Sequence, residues 1–134
     1  MPWMYPDSTD SYVRLVQAID RPAFAVHFDP VNLINSPSRF FNNSAVMQEF
    51  ITALGPLIKS IHVKDIVMRP TLTMHLDEVP PGSGALDYPA LLDALYAVGL
   101  DLPLMLEHMS DPNDYVKGAS FIRETAAHVG VLLA

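Results

Sequence analysis

Short apolar runs alternate with amphipathic stretches along this chain, and that alternation predicts strands separated by helices. We expect three strands, over residues 23–28, 57–63 and 102–106. Polar, chemically capable residues follow each run directly. Strands connected by helices pair in parallel, so we expect each strand to be buried on both faces.

Four helices are predicted from apolar residues at three-and-four spacing between capping residues and stop signals. The first helix is predicted to be capped by Asp7 or Ser8 and the third by Asp87, while the second should start near Asn43 or Ser44 and the fourth at Asp111. The predicted ends are residues 20–22, 55–56, 99 and about 128.

The predicted order is helix, strand, helix, strand, long loop, helix, strand, helix, which is compatible with an open doubly wound sheet or with part of a closed barrel. Both architectures place ligands at the carboxyl ends of the strands. No G-x-G-x-x-G turn follows any strand, which weakens a dinucleotide-binding interpretation. The expected fold is α/β: one domain over residues 1–134, forming a partial parallel (β/α) TIM-type barrel of about three to four βα units.

Composition narrows the ligand class. The chain has 134 residues, 50% of them hydrophobic, and a formal net charge of −7, which argues against a nucleic-acid or anionic membrane partner. It has no cysteine, so any metal must be held by histidine, carboxylate, amide or water ligands. Neither a basic leader nor a long apolar run is present, and we expect a cytoplasmic protein that binds a small polar molecule.

Three of the polar residues at the predicted strand ends form a candidate metal site: Asp29, His62 and Glu107. In a parallel sheet all three reach the same rim, where two carboxylates and one imidazole suit Mn, Mg, Co or Zn. Each has a structural alternative. Asp29 precedes a proline and can cap a helix, His62 can be a hydrogen-bonded core histidine, and Glu107 can be paired or solvated.

Four segments, taken in order, closely resemble the later motifs of the xylose-isomerase-like barrel superfamily of sugar and sugar-phosphate isomerases and epimerases. They are HFDPVN (27–32), IHVKD (61–65), PGSGALDY (81–88) and LMLEH (104–108). The resemblance covers nearly the whole chain and implies the C-terminal part of a (β/α)8 barrel.

In the family's epimerases, Glu, Asp, His and Glu from successive strands hold the metal, and the two glutamates exchange a proton with the substrate. By position, Asp29, His62 and Glu107 resemble the second, third and fourth ligands, with Glu107 also the catalytic acid/base. The resemblance departs in two places. Asn32 stands where a histidine is frequent, and the first glutamate belongs on a strand before Trp3 that this chain does not include, so activity of the chain itself stays open.

Further predicted substrate-binding residues lie around these motifs. His27 should point to the same side as Asp29, and Asn32 can bind a sugar hydroxyl. For His27 a core histidine is an equal alternative. Asp65 and Lys64 can orient His62 or contact ligand oxygens, or can simply be solvated charges at a strand end, and Asp65 is the favoured one. Arg69, in the long loop over residues 66–84, can bind an anionic or hydroxyl-rich substrate or be an exposed residue without a role. Trp3 can stack on a sugar or plug the barrel edge.

These residues are compatible with three functions. The leading one is a metal-dependent sugar or sugar-phosphate isomerase or epimerase that acts by proton transfer through an enediolate. The alternative is a truncated, catalytically inactive barrel fragment that acts as an oligomeric binding or scaffold module. Open parallel edges predict a homo-oligomer in either case. A nuclease related to endonuclease IV suits the metal ligands, but the acidic charge argues against it.

Overall fold

The computed structural model describes residues 4–133. Its helices are α1 (Thr9–Ile19), α2 (Pro30–Leu33), α3 (Pro37–Phe41), α4 (Asn43–Leu54), α5 (Tyr88–Ala97) and α6 (Pro112–His128). Its strands are β1 (Val26–Phe28), β2 (Ile58–Val63), β3 (Asp65–Arg69), β4 (His75–Val79) and β5 (Leu104–Leu106), and a 3₁₀ turn spans Gly55–Leu57.

The three predicted strands form one parallel sheet in the order β1-β2-β5. In its register Ile61 of β2 lies opposite Phe28 of β1 and Leu104 of β5. Because all three strands run the same way, their carboxyl ends open on one side of the sheet. The parallel sheet and its helices make the chain a mixed α/β fold consistent with a partial TIM barrel, as the alternating pattern predicted.

The caps that begin most of the longer helices are those the sequence predicted. Ser8 and Ser11 form a capping box at the start of α1, and the Asp87 side chain accepts a hydrogen bond from the backbone N–H of Ala90 in α5. Helix α4 begins at Asn43, as the sequence predicted. Asn42 is its cap residue and makes no side-chain cap hydrogen bond, whereas Asn43 accepts a hydrogen bond from the backbone N–H of Asp87.

The segment predicted as a long loop is largely an antiparallel hairpin. Strands β3 and β4 pair from Asp65 opposite Val79 to Arg69 opposite His75. Five-residue strands with mixed polar and apolar residues lack the strong apolar runs of a buried parallel strand, so their sequence resembles a loop. The hairpin extends from the carboxyl end of β2 and therefore starts beside the candidate site.

The expectation that every strand is buried on both faces holds only in part. Ile58, Ile61 and Val63 of the central strand β2 are buried, but His27 of β1 and Met105 of β5 are exposed. Among residues 4–133, both β1 and β5 pair with β2 alone, so each is an edge strand. An edge strand without a neighbour keeps part of its surface in solvent.

The hydrophobic core lies between the sheet and helices α1, α4 and α5. Phe28 of β1 stacks on Phe50 of α4 with ring centroids 4.3 Å apart, and Tyr12 of α1 meets the edge of Phe50 at 5.0 Å. This packing fixes β1, and with it the position of Asp29, against two helices. Within the described part of the chain, no helix is long and apolar enough to cross a membrane.

Candidate metal centre

The carboxyl ends of the three parallel strands bring together the side chains of Asp29, His62 and Glu107. Asp29 directly follows β1, His62 is the penultimate residue of β2, and Glu107 directly follows β5. One potential ligand atom from each residue lies within 4.8 Å of the other two. Convergence of these side chains is what the sequence predicted from their strand-end positions.

The geometry of the three groups fits a divalent ion. His62 Nδ1 lies 2.9 Å from Glu107 Oε2 and 3.5 Å from Asp29 Oδ2. Nitrogen and oxygen ligands about 2.1 Å from a shared Zn²⁺ lie roughly 3–3.5 Å apart, so these separations match a common coordination sphere. The imidazole favours Zn²⁺, whereas the two carboxylates also suit Mn²⁺.

Asn32 orients Asp29. The backbone N–H of Asn32 donates to Asp29 Oδ1 at 3.1 Å, which makes Asp29 the N-cap of α2. The Asn32 side-chain amide also donates to Asp29 Oδ2 at 2.6 Å. Asp29 therefore caps a helix, as the structural alternative predicted, and also belongs to the cluster. Asn32 both contacts this candidate ligand and borders the cavity.

Lys64 lies at the centre of the carboxylates, although the adjacent Asp65 was the favoured prediction. Its Nζ is 2.7 Å from Glu107 Oε2, 3.0 Å from Asp29 Oδ2 and 3.0 Å from Glu78 Oε2. Its side chain is only 2% exposed. Burial alone would lower the pKa of Lys64, but the bonds to these carboxylates outweigh it and raise the pKa, so the ammonium stays charged.

Glu107 is surrounded by positive or polarisable groups. Burial tends to raise its pKa, but the hydrogen bond and charge of Lys64, with His62 and His108, bring the pKa of Glu107 below its ordinary value. His108 Nε2 lies 3.2 Å from Glu107 Oε1, and the His108 backbone has a φ of 59°, in the left-handed region. Glu107 is consequently an ionised carboxylate at neutral pH, able to accept a proton or bind a cation.

His27 lies beside the cluster, on the side of the sheet that the alternation predicted. Its Nδ1 is 2.6 Å from Ser60 Oγ, and its ring meets the His62 ring edge-on with centroids 4.0 Å apart. Partial loss of contact with water, followed by the charge of the neighbouring His62, lowers the pKa of His27, which favours the neutral imidazole. The hydrogen bond to Ser60 fixes the ring where it can contact a ligand in the cavity.

These strand ends face a cavity of about 620 Å³, a size typical of small-molecule sites. His27, Asn32 and the three candidate ligands all border it. Side chains from α1, the region of α2 and the hairpin supply an apolar part of the wall: Tyr12, Val31, Ile34, Met74 and Leu76. Lys64, Glu78 and His108 also border the cavity. The mixture of convergent polar groups and apolar wall suits a small polar ligand.

Asp65, predicted as a substrate-binding residue, has another set of partners. It is 1% exposed, and its two oxygens accept hydrogen bonds from the backbone N–H groups of Ile66, Gly82, Gly84 and Leu86. It does not border the cavity. A Cβ at Gly84 would collide with the Asp65 carboxylate, so glycine is required for this close approach.

Arg69, the predicted loop residue, does not border the cavity. Arg69 donates from Nε to Asp77 Oδ2 at 2.7 Å across the hairpin, and its side chain is 50% exposed. Trp3 lies outside the described residues, so its predicted contact with a sugar stays a prediction.

The residues that sequence reasoning missed or did not favour had signals of different strength. Lys64 is two residues after His62, and strand alternation puts both on one side, so its position was accessible from the pattern. His108 directly follows Glu107. Glu78 has no usable signal in the sequence. Its place beside Lys64 depends on the pairing of β3 with β4, in a segment that the sequence predicts as a loop.

Comparisons with known proteins agree with this architecture. A xylose isomerase domain protein from Planctomyces limnophilus superposes with a TM-score of 0.71 at 21% identity, and the IolI protein, solved with a bound zinc atom, superposes with a TM-score of 0.55 at 20% identity. Each alignment covers 92% of this chain but 43% of the other, so this chain spans less than half the length of either structure. Curated proteins gave no match.

A family model described as a xylose isomerase-like TIM barrel matches residues 1–125. The match includes the three parallel strands, the hairpin and the whole candidate metal centre. The chain therefore belongs to the xylose isomerase-like TIM barrel family.

Proposed function

We propose that this chain carries most of the active site of a metal-dependent sugar or sugar-phosphate isomerase or epimerase. The observation that carries the proposal is the convergence of Asp29, His62 and Glu107 within 4.8 Å at the carboxyl ends of parallel strands. Family membership and the zinc-bound IolI neighbour support a divalent metal and a sugar-like substrate. A cytoplasmic location is proposed on sequence grounds alone.

Glu107 is the proposed acid/base. Its lowered pKa leaves a carboxylate that accepts the proton alpha to the substrate carbonyl and, in an isomerisation, returns it to the neighbouring carbon on the same face. Epimerisation needs a second acid on the opposite face, the role of the first glutamate in the epimerases that the motifs resemble. A divalent ion held by Asp29, His62 and Glu107 would polarise the carbonyl and stabilise the negative charge of the enediolate.

The other cavity residues bind and orient the substrate in this proposal. Asn32 keeps Asp29 in position through two hydrogen bonds, and neutral His27 presents its second ring nitrogen to a hydroxyl. Lys64 keeps Glu107 charged. Apolar residues such as Tyr12 and Leu76 limit water in the cavity.

The direct test is solvent deuterium exchange into a panel of ketoses and ketose phosphates with added Mn²⁺, Co²⁺ or Zn²⁺. We expect metal-dependent exchange in the wild type and none in Glu107→Gln. Glu124→Gln, which changes an exposed carboxylate of α6, should leave the exchange unchanged. If metal binds at the site but the panel shows no exchange, the proposal of proton-transfer chemistry is wrong and the alternative of an inactive binding module gains.

We also propose that the chain forms a homo-oligomer. Among the described residues β1 and β5 are both edge strands, and an apolar groove of about 570 Å³ lies next to β5. Leu95, Leu104, Ile122 and Val131 help to line it. A second copy of the chain covering a strand edge and this groove would remove both from solvent.

Light scattering coupled to size-exclusion chromatography tests this association. We expect a mass of two or more chains at micromolar concentration, and Leu104→Arg, a charge in the groove, should shift it toward one chain. A monomer at the highest soluble concentration contradicts the proposal.

A further inference from the structure

Glu78 belongs to β4 of the hairpin and not to the parallel sheet, yet it borders the same cavity and contacts two side chains beside the candidate ligands. Its Oε2 is 3.0 Å from Lys64 Nζ, and its Oε1 is 3.1 Å from His108 Nδ1. Lys64 is buried, so this contact is not an exposed surface ion pair of negligible energy. Glu78 is thus the hairpin residue most directly connected to the site.

Glu107 contacts the same two side chains. Lys64 Nζ is 2.7 Å from Glu107 Oε2, and His108 Nε2 is 3.2 Å from Glu107 Oε1. Together the four side chains form a closed ring in the order Glu107, Lys64, Glu78, His108. We call this set the carboxylate ring.

The carboxylate ring restricts the orientation of Glu107. A carboxylate bonded at one oxygen still rotates about its terminal torsion, whereas contacts at both oxygens fix its plane. Lys64 donates to both Glu107 and Glu78, whereas the His108 ring lies between the two carboxylates and in its neutral form donates its single N–H to one of them. The same Glu107 Oε2 lies 2.9 Å from His62 Nδ1, so the ring also fixes the oxygen that faces the candidate ligands.

We propose that Glu78 is a positioning residue for Glu107 that acts through Lys64 and His108 and connects the β3–β4 hairpin to the candidate metal centre. The inference rests on the proposed function in one respect: Glu107 is taken to be the acid/base. Displacement of a reacting group by about 1 Å can reduce a rate by roughly 100-fold, so positioning of Glu107 affects the rate of catalysis.

The first experiment reads the orientation of Glu107 without requiring activity. The chain has glutamates only at positions 49, 78, 107 and 124, and lysines only at 59, 64 and 117, so the carboxyl carbon and ammonium NMR signals are few enough to assign. In Glu78→Gln we expect displaced signals for the Glu107 carboxyl group, the Lys64 ammonium group and the His108 ring.

The matched control is Asp77→Asn, the preceding residue of β4, whose carboxylate pairs with Arg69. It changes one charge on the same strand and should leave the signals of the carboxylate ring unchanged. Backbone amide spectra verify that both variants fold, and Glu78→Asp serves as a milder second variant. Unchanged Glu107 and Lys64 signals in both Glu78 variants overturn the proposal.

The second experiment reads catalysis in the metal-loaded protein. With a ketose that exchanges deuterium in the wild type, Glu78→Gln should lower kcat about 10-fold to 100-fold while KM stays near its wild-type value. A displaced Glu107 signal with an unchanged kcat would overturn the positioning role. If the wild type itself shows no exchange, the proposed function fails, while the NMR comparison still decides whether Glu78 orients Glu107.

Discussion

Two buried aspartates near strand ends of this molecule, Asp29 and Asp65, have opposite surroundings. Both carboxylate oxygens of Asp65 accept hydrogen bonds from backbone N–H groups, including those of Gly82, Gly84 and Leu86. Asp29 contacts mainly side chains, from Asn32, His62 and Lys64. Both are at most 7% exposed, so burial alone does not separate them.

The difference separates a structural carboxylate from one that can bind a ligand. Backbone N–H groups cannot leave Asp65 unless the loop over residues 80–87 moves. Asp29 Oδ1 also has a backbone donor, Asn32, but Asp29 Oδ2 is held by the side chains of Asn32, His62 and Lys64. The oxygen held by side chains can therefore exchange a partner for a ligand while the backbone stays in place. The same residue type at similar burial thus serves the fold in one place and the candidate site in the other.

The largest expected effect is on stability, from Asp65→Ala. Several buried backbone N–H groups lose a charged acceptor, and we expect the free energy of unfolding to fall by about 3–5 kcal/mol. Asp29→Ala should cost clearly less, because Lys64 keeps two carboxylate partners. Urea unfolding of the two variants measures the contrast, and equal losses would refute it.

A smaller expected effect is on the stability that a bound metal ion adds. This added stability should depend on the region around Asp29. An ion at 100 times its Kd stabilises the native chain by about 2.7 kcal/mol. His62→Ala removes a candidate ligand and should weaken Mn²⁺ or Zn²⁺ binding by roughly 100-fold or more, since even outer neighbours of metal ligands contribute 10–100-fold. Thermal unfolding with and without the ion measures this.

The control for that experiment is His128→Ala, at the end of α6. His128 is exposed and remote from the cluster, so its loss should leave the metal-dependent shift in Tm unchanged. A shift that survives in His62→Ala but disappears in His128→Ala would place the ion elsewhere.

The smallest expected effect arises where the two regions adjoin. Tyr88 donates its hydroxyl to the carbonyl of Lys64 at 2.9 Å, and burial, followed by the charges of Asp65 and Asp29, raises the pKa of Tyr88 above 10.0. Tyr88→Phe should lower the free energy of unfolding by about 1–2 kcal/mol at pH 8.

The pH dependence of that difference has a definite sign. Because the native pKa is the higher one, the unfolded chain loses the Tyr88 proton first as the pH rises above about 10. The contribution of Tyr88 is therefore complete below pH 10 and decreases above it. Urea unfolding at pH 8 and pH 11 should show the gap between wild type and Tyr88→Phe becoming smaller, and a widening gap would contradict the assignment.

The sequence predicted the parts of the fold that depend on local pattern. The strand runs and the caps Ser8, Asp87 and Asp111 each have a local signature, and the structure contains all of them. The three strand-end residues could be predicted to converge because parallel topology imposes a common rim. Pairing of β3 with β4 could not, since neither strand carries a strong apolar run.

The partners of individual carboxylates were beyond sequence reasoning for a different reason. Asp65 and Lys64 are adjacent, and both looked suitable as neighbours of a metal ligand. Which of them faces the cavity depends on how residues 80–87 fold over β3, a contact between segments far apart in the chain. Patterns along the sequence reveal which face a residue occupies within its own element, but not what other segments bring to that face.

The two edges of the parallel sheet differ, and this has a consequence for assembly. Joining β5 of one copy to β1 of another with strands parallel is a head-to-tail contact, which either closes around an axis along the strands or continues as an open array. Every copy joined in this way presents its strand ends in the same direction. A pair joined at identical edges has antiparallel strands instead, and its two cavities open at opposite ends. The symmetry of any assembly would consequently reveal whether the cavities of neighbouring copies open on the same side.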